Sequence, residues 1–183
     1  MKKIALAGVT LAMAMAAGSA SAANGLAAGT MGIGVNVAPA AYNPTGPNLD
    51  YILSGKYLVS RDMAILASFG FQMVDTGAPA PAKSKWTDLG FGIGVRKYMN
   101  NNDLTPFVGG TFGYASTNDS NLTAMQLMGE AGAEYFVGKQ FSFEGKVGFG
   151  YTSVKTTPAG GGASTTATYI GSHAFTLGAN FYF

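Results

Sequence analysis

The feature that most restricts the fold is an alternation of apolar residues with small or polar ones, repeated along eight stretches of the chain. In one stretch, Leu89, Phe91 and Ile93 alternate with Gly90 and Gly92. Successive side chains of a β-strand point to opposite faces of its sheet, so each stretch predicts a strand with one apolar and one polar face. The predicted strands cover residues 30–37, 49–59, 63–73, 86–98, 106–114, 125–137, 141–151 and 175–183.

The low content of charge indicates what the apolar faces contact. Charged residues make up 11% of the chain, against about 25% in an ordinary soluble domain. Something other than water is therefore expected to cover much of the surface. A bilayer admits only helices and closed barrels, because every backbone polar group must be paired internally. No segment after the N-terminal region has the composition of a membrane helix, so the sequence predicts an all-β, eight-stranded antiparallel up-and-down transmembrane β-barrel.

The N-terminal region has the three parts of a secretory signal peptide. Lys2 and Lys3 provide positive charge, residues 4–17 form an uncharged, mostly apolar stretch, and Ala20-Ser21-Ala22 is a small-x-small cleavage motif. We predict that residues 1–22 are a signal peptide, with position 23 as the alternative cleavage site. Residues 23–183 then form one outer-membrane β-barrel domain, exported through the Sec pathway. An uncleaved membrane anchor is the alternative, but the apolar segment is short for that role.

Charge and cysteine content exclude several function classes. The eleven basic residues fall to nine once Lys2 and Lys3 are removed, and they match nine acidic residues. The near-neutral mature chain has no basic field for nucleic acid. The absence of cysteine excludes a lipoprotein anchor, disulfides and thiolate metal sites. No metal-ligand cluster or cofactor motif is present in the sequence, so we expect neither a metal nor a cofactor.

The connections between the predicted strands alternate in length. Short gaps at residues 60–62, 100–103 and 138–139 follow the second, fourth and sixth strands, whereas the other gaps are mostly longer. Short periplasmic turns and long outer loops are typical of outer-membrane barrels. We therefore expect both termini to lie in the periplasm. The long loops at residues 75–85 and 155–168 are the expected sites of surface contacts.

The polar faces of the predicted strands carry charges that must lie in the barrel interior. Across the sixth and seventh strands, a turn at residues 138–139 sets Glu130 near Lys146. The same turn sets Glu134 near Glu144, so these glutamates need a cation from elsewhere, which Arg96 or Lys56 would supply. We expect a balanced polar plug, because eight strands leave an interior just wide enough for side chains to fill it. A narrow ion path is the alternative. The predicted lumen network is Lys56, Arg96, Glu130, Glu134, Glu144 and Lys146.

Aromatic residues concentrate near the ends of the predicted strands. Such clusters are typical of the aromatic girdles that mark the two interfaces of a membrane barrel. The predicted interface aromatics are Tyr51, Tyr57, Trp86, Tyr135, Phe141, Tyr151 and Tyr169.

The last predicted strand carries a resemblance to a known family. Its apolar residues alternate up to a final aromatic, in the order Phe175, Leu177, Ala179, Phe181 and Phe183. This pattern resembles the C-terminal assembly signal of Gram-negative outer-membrane proteins, and the chain after the signal peptide resembles the small outer-membrane β-barrel domain family of the OmpX/Ail and opacity-protein type. The resemblance implies residence in the cell outer membrane, with lipid and lipopolysaccharide as neighbours. It also implies that periplasmic chaperones and the barrel-assembly machinery, which reads the last strand, are partners during biogenesis. The oligomeric state stays open.

Three functions remain open for such a barrel. The first is a non-enzymatic structural or surface-interaction role with a closed lumen, and the second is a porin-like channel for ions or small solutes. The third is lipid A modification, which needs a base beside a hydroxyl. Deacylases of this size class carry the motif His-x-Ser. The one histidine here, His173, begins the triplet His173-Ala174-Phe175 and follows Ser172, so the motif is broken. His173 also lies in phase with Phe175, which predicts an outward girdle position, so no catalytic residue is expected.

Overall fold

A computed structural model of the chain describes residues 26–37, 51–75, 85–118, 122–158 and 162–183. At positions 51, 52, 74, 86, 173 and 174 it describes the backbone alone. The predicted signal peptide and its cleavage site lie outside the described residues.

The described residues form eight antiparallel strands that close into a barrel in chain order, with β1 pairing β8. The fold class predicted from the alternation is therefore confirmed. Among the described residues, no helix is long and apolar enough to span a membrane. The strands are β1 (Met31–Val37), β2 (Tyr51–Leu58), β3 (Met63–Asp75), β4 (Lys85–Tyr98), β5 (Leu104–Thr117), β6 (Leu122–Phe136), β7 (Phe141–Thr156) and β8 (Thr165–Tyr182).

The two faces of the wall follow the predicted alternation. Phe91 and Ile93 point outward and are 52% and 62% exposed, whereas Arg96 on the same strand points inward and is 1% exposed. The first strand also has its predicted register, with Val35 outside and Asn36 buried inside. An apolar exterior around a polar interior is the arrangement expected of a barrel in lipid rather than of a soluble barrel.

The β3–β4 hairpin measures the height of the apolar exterior. Along residues 63–73 of β3 the outward side chains are all apolar. A strand of that length, tilted by about 40°, rises about 25 Å, which equals the apolar band of a transmembrane barrel. Exposed ion pairs lie at the two ends of this band, Asp62 with Lys97 at 2.7 Å and Asp75 with Lys85 at 3.2 Å. Each strand of the hairpin is therefore long enough to cross the hydrocarbon layer.

The last hairpin extends further than the sequence pattern predicted. β8 begins at Thr165 rather than at residue 175, and residues 165–168 pair with residues 153–156 of β7. The predicted loop at residues 155–168 is therefore too long, and the connection covers residues 157–164. Threonine, tyrosine and isoleucine at residues 165–170 favour extended backbone, and pairing satisfies their peptide groups.

A β-bulge on β8 changes the phase of its alternation. Lys146 pairs with Thr176 but Gly148 pairs with His173, so two residues of β8 lie opposite one residue of β7. An extra residue of this kind reverses the alternation across the bulge. Ser172 and Leu177 are therefore both exposed, although an uninterrupted alternation would place them on opposite faces. The side chain of His173 lies outside the described set, so its predicted outward position stays a prediction.

Candidate functional site

The six charged residues predicted for the interior all lie on the inner face of the wall, where they form one continuous set of ion pairs. We call this set the lumen network. Five of its side chains are at most 2% exposed, and the sixth, Lys146, is 21% exposed. Three carboxylates face three cations, so the network carries no net charge.

The centre of the network is a pair of opposed glutamates. Glu134 of β6 and Glu144 of β7 are direct partners across the hairpin. Lys56 of β2 reaches both, with its Nζ 3.0 Å from Glu134 Oε2 and 2.5 Å from Glu144 Oε2. Like charges at opposed positions destabilise a sheet, and the shared ammonium group offsets their repulsion.

Arg96 joins this centre to a second group of charges. Its Nη1 lies 2.8 Å from Glu144 Oε2, and its Nη2 lies 3.0 Å from Glu130 Oε1. Lys146 Nζ reaches the other oxygen of Glu130 at 2.7 Å. The guanidinium carbon lies 3.7 Å from the centroid of the Phe107 ring, close enough for a cation–π contact. Arg96 is thus held by charge on its edges and by an aromatic ring on one face.

Glu134 has neutral donors that the sequence analysis missed. The hydroxyls of Tyr98 and Tyr182 donate to it at 2.9 and 2.5 Å, Asn180 Nδ2 donates at 3.1 Å, and Ser142 Oγ donates to Oε1. Each donor lies in phase with a charged or buried inward residue of its own strand. The alternation of the sequence therefore predicts that these side chains face the lumen. The two tyrosines were overlooked because aromatic residues were assigned to the lipid face.

Glycines on the inner wall make room for these long side chains. A Cβ on Gly109 would lie 3.1 Å from Glu130 Oε1 and 2.7 Å from the carbonyl oxygen of Val95. A Cβ on Gly178 would lie 2.9 Å from Glu144 Cγ. The glycine-rich face and the charged face are therefore one surface, and Gly109 and Gly178 leave space that carboxylate side chains occupy.

An apolar layer lies next to the network, at the end of the barrel that carries the short turns. We call this end the short-turn end and the cluster the basal layer. The rings of Tyr98 and Phe107 meet edge to face at 6.0 Å, and those of Phe136 and Tyr182 meet at 5.6 Å. These contacts place hydrocarbon below the charged side chains. The members of the basal layer are Leu26, Leu58, Ala64, Tyr98, Phe107, Phe136 and Tyr182.

Four of the predicted interface aromatics have described side chains on the outer surface. Tyr57, Tyr135 and Phe141 are exposed beside the short turns, and Tyr151 is exposed toward the other end. Tyr169 is 38% exposed but pairs with Thr152, whose side chain is buried inside, so its predicted interface role stays a prediction. The side chains of Tyr51 and Trp86 lie outside the described set.

The predicted assembly signal forms the outer face of β8 beyond the bulge. Phe175 and Leu177 are 48% and 50% exposed, and Ala179, Phe181 and Phe183 are partly exposed. The backbone of Phe183 pairs with Met31, each amide donating to the other carbonyl, at 2.9 and 3.0 Å. The last strand therefore closes the barrel.

The arrangement offers little free acid–base chemistry. Each network carboxylate already accepts from at least two donors. Among the described residues, no group of three or more His, Cys, Asp or Glu side chains is placed to hold a metal ion. The ionised groups of the lumen are thus arranged to neutralise one another.

Comparison with known proteins identifies the family. A family model described as "Outer membrane protein beta-barrel domain" matches residues 10–183. No curated protein sequence matches this chain.

The solved structures of similar shape are outer-membrane barrels. OprG from Pseudomonas aeruginosa is 14% identical with a TM-score of 0.55, and the match covers 86% of this chain and 97% of OprG. AlkL, determined in lipid bilayers, is 14% identical with a TM-score of 0.56, and covers 91% of this chain and 95% of its own. The N-terminal β-barrel domain of Pseudomonas aeruginosa OprF is 12% identical with a TM-score of 0.55, and the match covers 85% of this chain and 98% of that domain. At these identities the likeness to solved structures shows a shared fold, whereas the match to the family model shows the family. The chain is a small Gram-negative outer-membrane barrel that belongs to the outer membrane protein β-barrel domain family.

Proposed function

We propose that this protein is a non-enzymatic barrel with a structural or surface-interaction role, whose lumen is closed by the lumen network and the basal layer. The single observation that carries the proposal is the pairing of three carboxylates with three cations inside the barrel, five of them at most 2% exposed. A conducting path needs water around its charges, whereas these charges contact one another. In this proposal both termini lie in the periplasm, after export through the Sec pathway.

The contacts of Arg96 across the barrel support the proposal that the lumen is closed to solutes. Its guanidinium group pairs with Glu130 on one side and Glu144 on the other, so it crosses from β4 to both β6 and β7. Lys56 makes a second crossing from β2 to the same strands. Side chains that cross the lumen in two directions leave little cross-section for a solute.

Planar-bilayer recording of the refolded protein tests the closed lumen. We expect no discrete conductance steps from the wild type. The matched variants are Arg96→Ala, which removes the crossing side chain, and Arg61→Ala, which removes an exposed cation from a short turn. Steps from the wild type that change with Arg96→Ala but not with Arg61→Ala would show a channel and overturn the proposal.

Mass spectrometry of lipid A tests the non-enzymatic role. Cells that express the wild type, His173→Ala or an empty vector are compared. We expect identical acylation in all three samples. An acyl change that depends on the wild type and is lost in His173→Ala would instead establish lipid A modification.

A further inference from the structure

The basal layer has one member that does not belong to the barrel wall. Leu58, Ala64, Tyr98, Phe107, Phe136 and Tyr182 all lie on strands near the short-turn end, whereas Leu26 precedes β1. Its side chain is 2% exposed, although it lies on a segment outside the hydrogen-bonded ladder of the strands. The chain therefore enters the mouth of the barrel before it joins the wall.

A tight turn places Leu26 in this position. Thr30 N donates to the carbonyl of Ala27 at 3.1 Å, and Gly29 has a φ of 87°. A positive φ at the third residue of such a turn favours glycine. Gly29 N donates to the carbonyl of Leu58 at 2.7 Å, and Leu58 N donates to the carbonyl of Thr30 at 3.0 Å. The turn is thus attached to the end of β2.

Neither β1 nor β7 contributes an apolar side chain to the basal layer. The inward residue of β1 nearest this end is Gly32, which has no side chain to contribute, and β7 supplies the polar Ser142. The ring of Tyr182 occupies the place of a Cβ on Gly32, at 2.8 Å. Leu26 adds apolar surface to a layer in which these two strands contribute none.

We propose that residues 26–30 close the periplasmic mouth of the barrel and can open, and that the side chain of Leu26 fills the opening. We call this segment the seal. The six strand residues leave the layer only if strand pairing is broken, but Leu26 leaves when one turn opens. Segments with few backbone hydrogen bonds open at lower free energy than the elements they contact. The seal thus separates the lumen network from periplasmic water, and its opening exposes the network without unfolding the barrel. This inference rests on the closed lumen proposed above.

Access of a reagent to the basal layer tests the seal. The chain contains no cysteine, so Ala64→Cys introduces a single thiol in the basal layer to which Leu26 belongs, at a position that is 1% exposed. The probe is a positively charged, membrane-impermeant methanethiosulfonate. It is applied to the refolded barrel in permeabilised lipid vesicles, so that the reagent reaches both faces of the membrane. Three further changes are made in this background: Leu26→Asp, Leu26→Met and Ala28→Asp. Ala28 is exposed in the same turn and is the matched control for the added charge.

We expect Leu26→Asp to raise the rate of thiol modification at least about tenfold, since it removes the burial that holds the turn closed. Leu26→Met keeps the apolar volume and should leave the rate within about twofold, as should Ala28→Asp. Equal rates in all four proteins, or acceleration by Ala28→Asp as well, would overturn the seal. If Leu26→Asp fails to fold, as judged by heat-modifiable migration on a gel, Leu26→Ala takes its place with the same expected direction.

The two proposals fail separately. Conductance by the unmodified protein would refute the closed lumen, whatever the rate of thiol modification. If the wild type does not conduct, and the thiol of Ala64→Cys reacts at the same rate with and without Leu26→Asp, the closed lumen is retained and the seal is refuted.

Discussion

Lys56 joins the carboxylates of Glu134 and Glu144, which face each other on neighbouring strands, although it lies 78 and 88 residues away from them in the chain. The ammonium group reaches the β6–β7 hairpin from β2, across the lumen. Neither glutamate has another lysine partner among the described residues. Arg96 of β4 supplies the other positive charge near both glutamates, and Lys56 adds a contact across the lumen that forms only when the barrel closes.

Removal of this cation should destabilise the barrel strongly. Lys56→Met leaves two buried carboxylates with one fewer counter-ion, and breaking a buried ion pair costs about 3–5 kcal/mol. Urea unfolding in lipid vesicles, followed by the fluorescence of the single tryptophan, measures the change. The double variant Lys56→Met/Glu144→Gln should recover part of the loss, because it restores charge balance.

The control for this measurement is Lys97→Met. Lys97 pairs with Asp62 on the exposed surface, where an ion pair contributes little to stability. Losses of similar size in Lys56→Met and Lys97→Met would show that the lumen network contributes no more than a surface pair.

Inward and outward glycines should differ in their tolerance of a methyl group. A Cβ on the inward Gly150 would lie 2.8 Å from Met128 Cα and closer still to the carbonyl oxygen of Leu127, both backbone atoms. We expect Gly150→Ala to cost about 1–3 kcal/mol, since the wall itself must shift. On the outward Gly129 the nearest atom is 3.8 Å away, so Gly129→Ala should be neutral or slightly stabilising. The same unfolding assay compares the two, and equal losses would contradict the close packing of the inner wall.

Charge on the outer wall should be penalised according to its depth. Ile93, which is 62% exposed near the middle of β4, is expected to lie at the centre of the hydrocarbon. Ile93→Arg should cost about 2–4 kcal/mol, whereas Val59→Arg, beside a short turn, should cost about 0–1 kcal/mol. Spin labels at Phe91, Ile93 and Val147 should likewise report hydrocarbon. Water-like spectra at these positions would refute the assignment of this face to lipid.

The short turn that contains Asp62 should respond to acid. The hydrogen bond from Lys97, followed by that from Ser60, lowers the pKa of Asp62 from its ordinary 3.8 to about 2. A depressed folded-state pKa stabilises the fold above pH 4, and this contribution disappears as the pH falls through about 2. Stability measured from pH 6 to pH 2 should therefore fall less in Asp62→Asn than in the wild type. Parallel curves would show that the Asp62–Lys97 contact does not persist in solution.

Individual residues show how far the alternation could predict the site. Glu130 and Lys146 are paired correctly from sequence, because both lie on one hairpin whose turn sets the register. Arg96 and Lys56 were named as sources of the missing cation, but not which carboxylate each contacts. That choice depends on how far their strands are staggered around the barrel. Tyr98 and Tyr182 were missed because an aromatic ring suits both lipid and a narrow lumen.

Sequence alone determined which side chains face out and which face in, because the period of two is a local property of extended backbone. It did so for Phe91 and Arg96 without knowledge of any partner strand. Only the tertiary structure decided that Lys56 joins Glu134 to Glu144, that β8 has a bulge between His173 and Thr176, and that Leu26 enters the mouth of the barrel. These three features depend on contacts between segments that are distant in the chain, and such contacts exist only once the eight strands have closed into a ring.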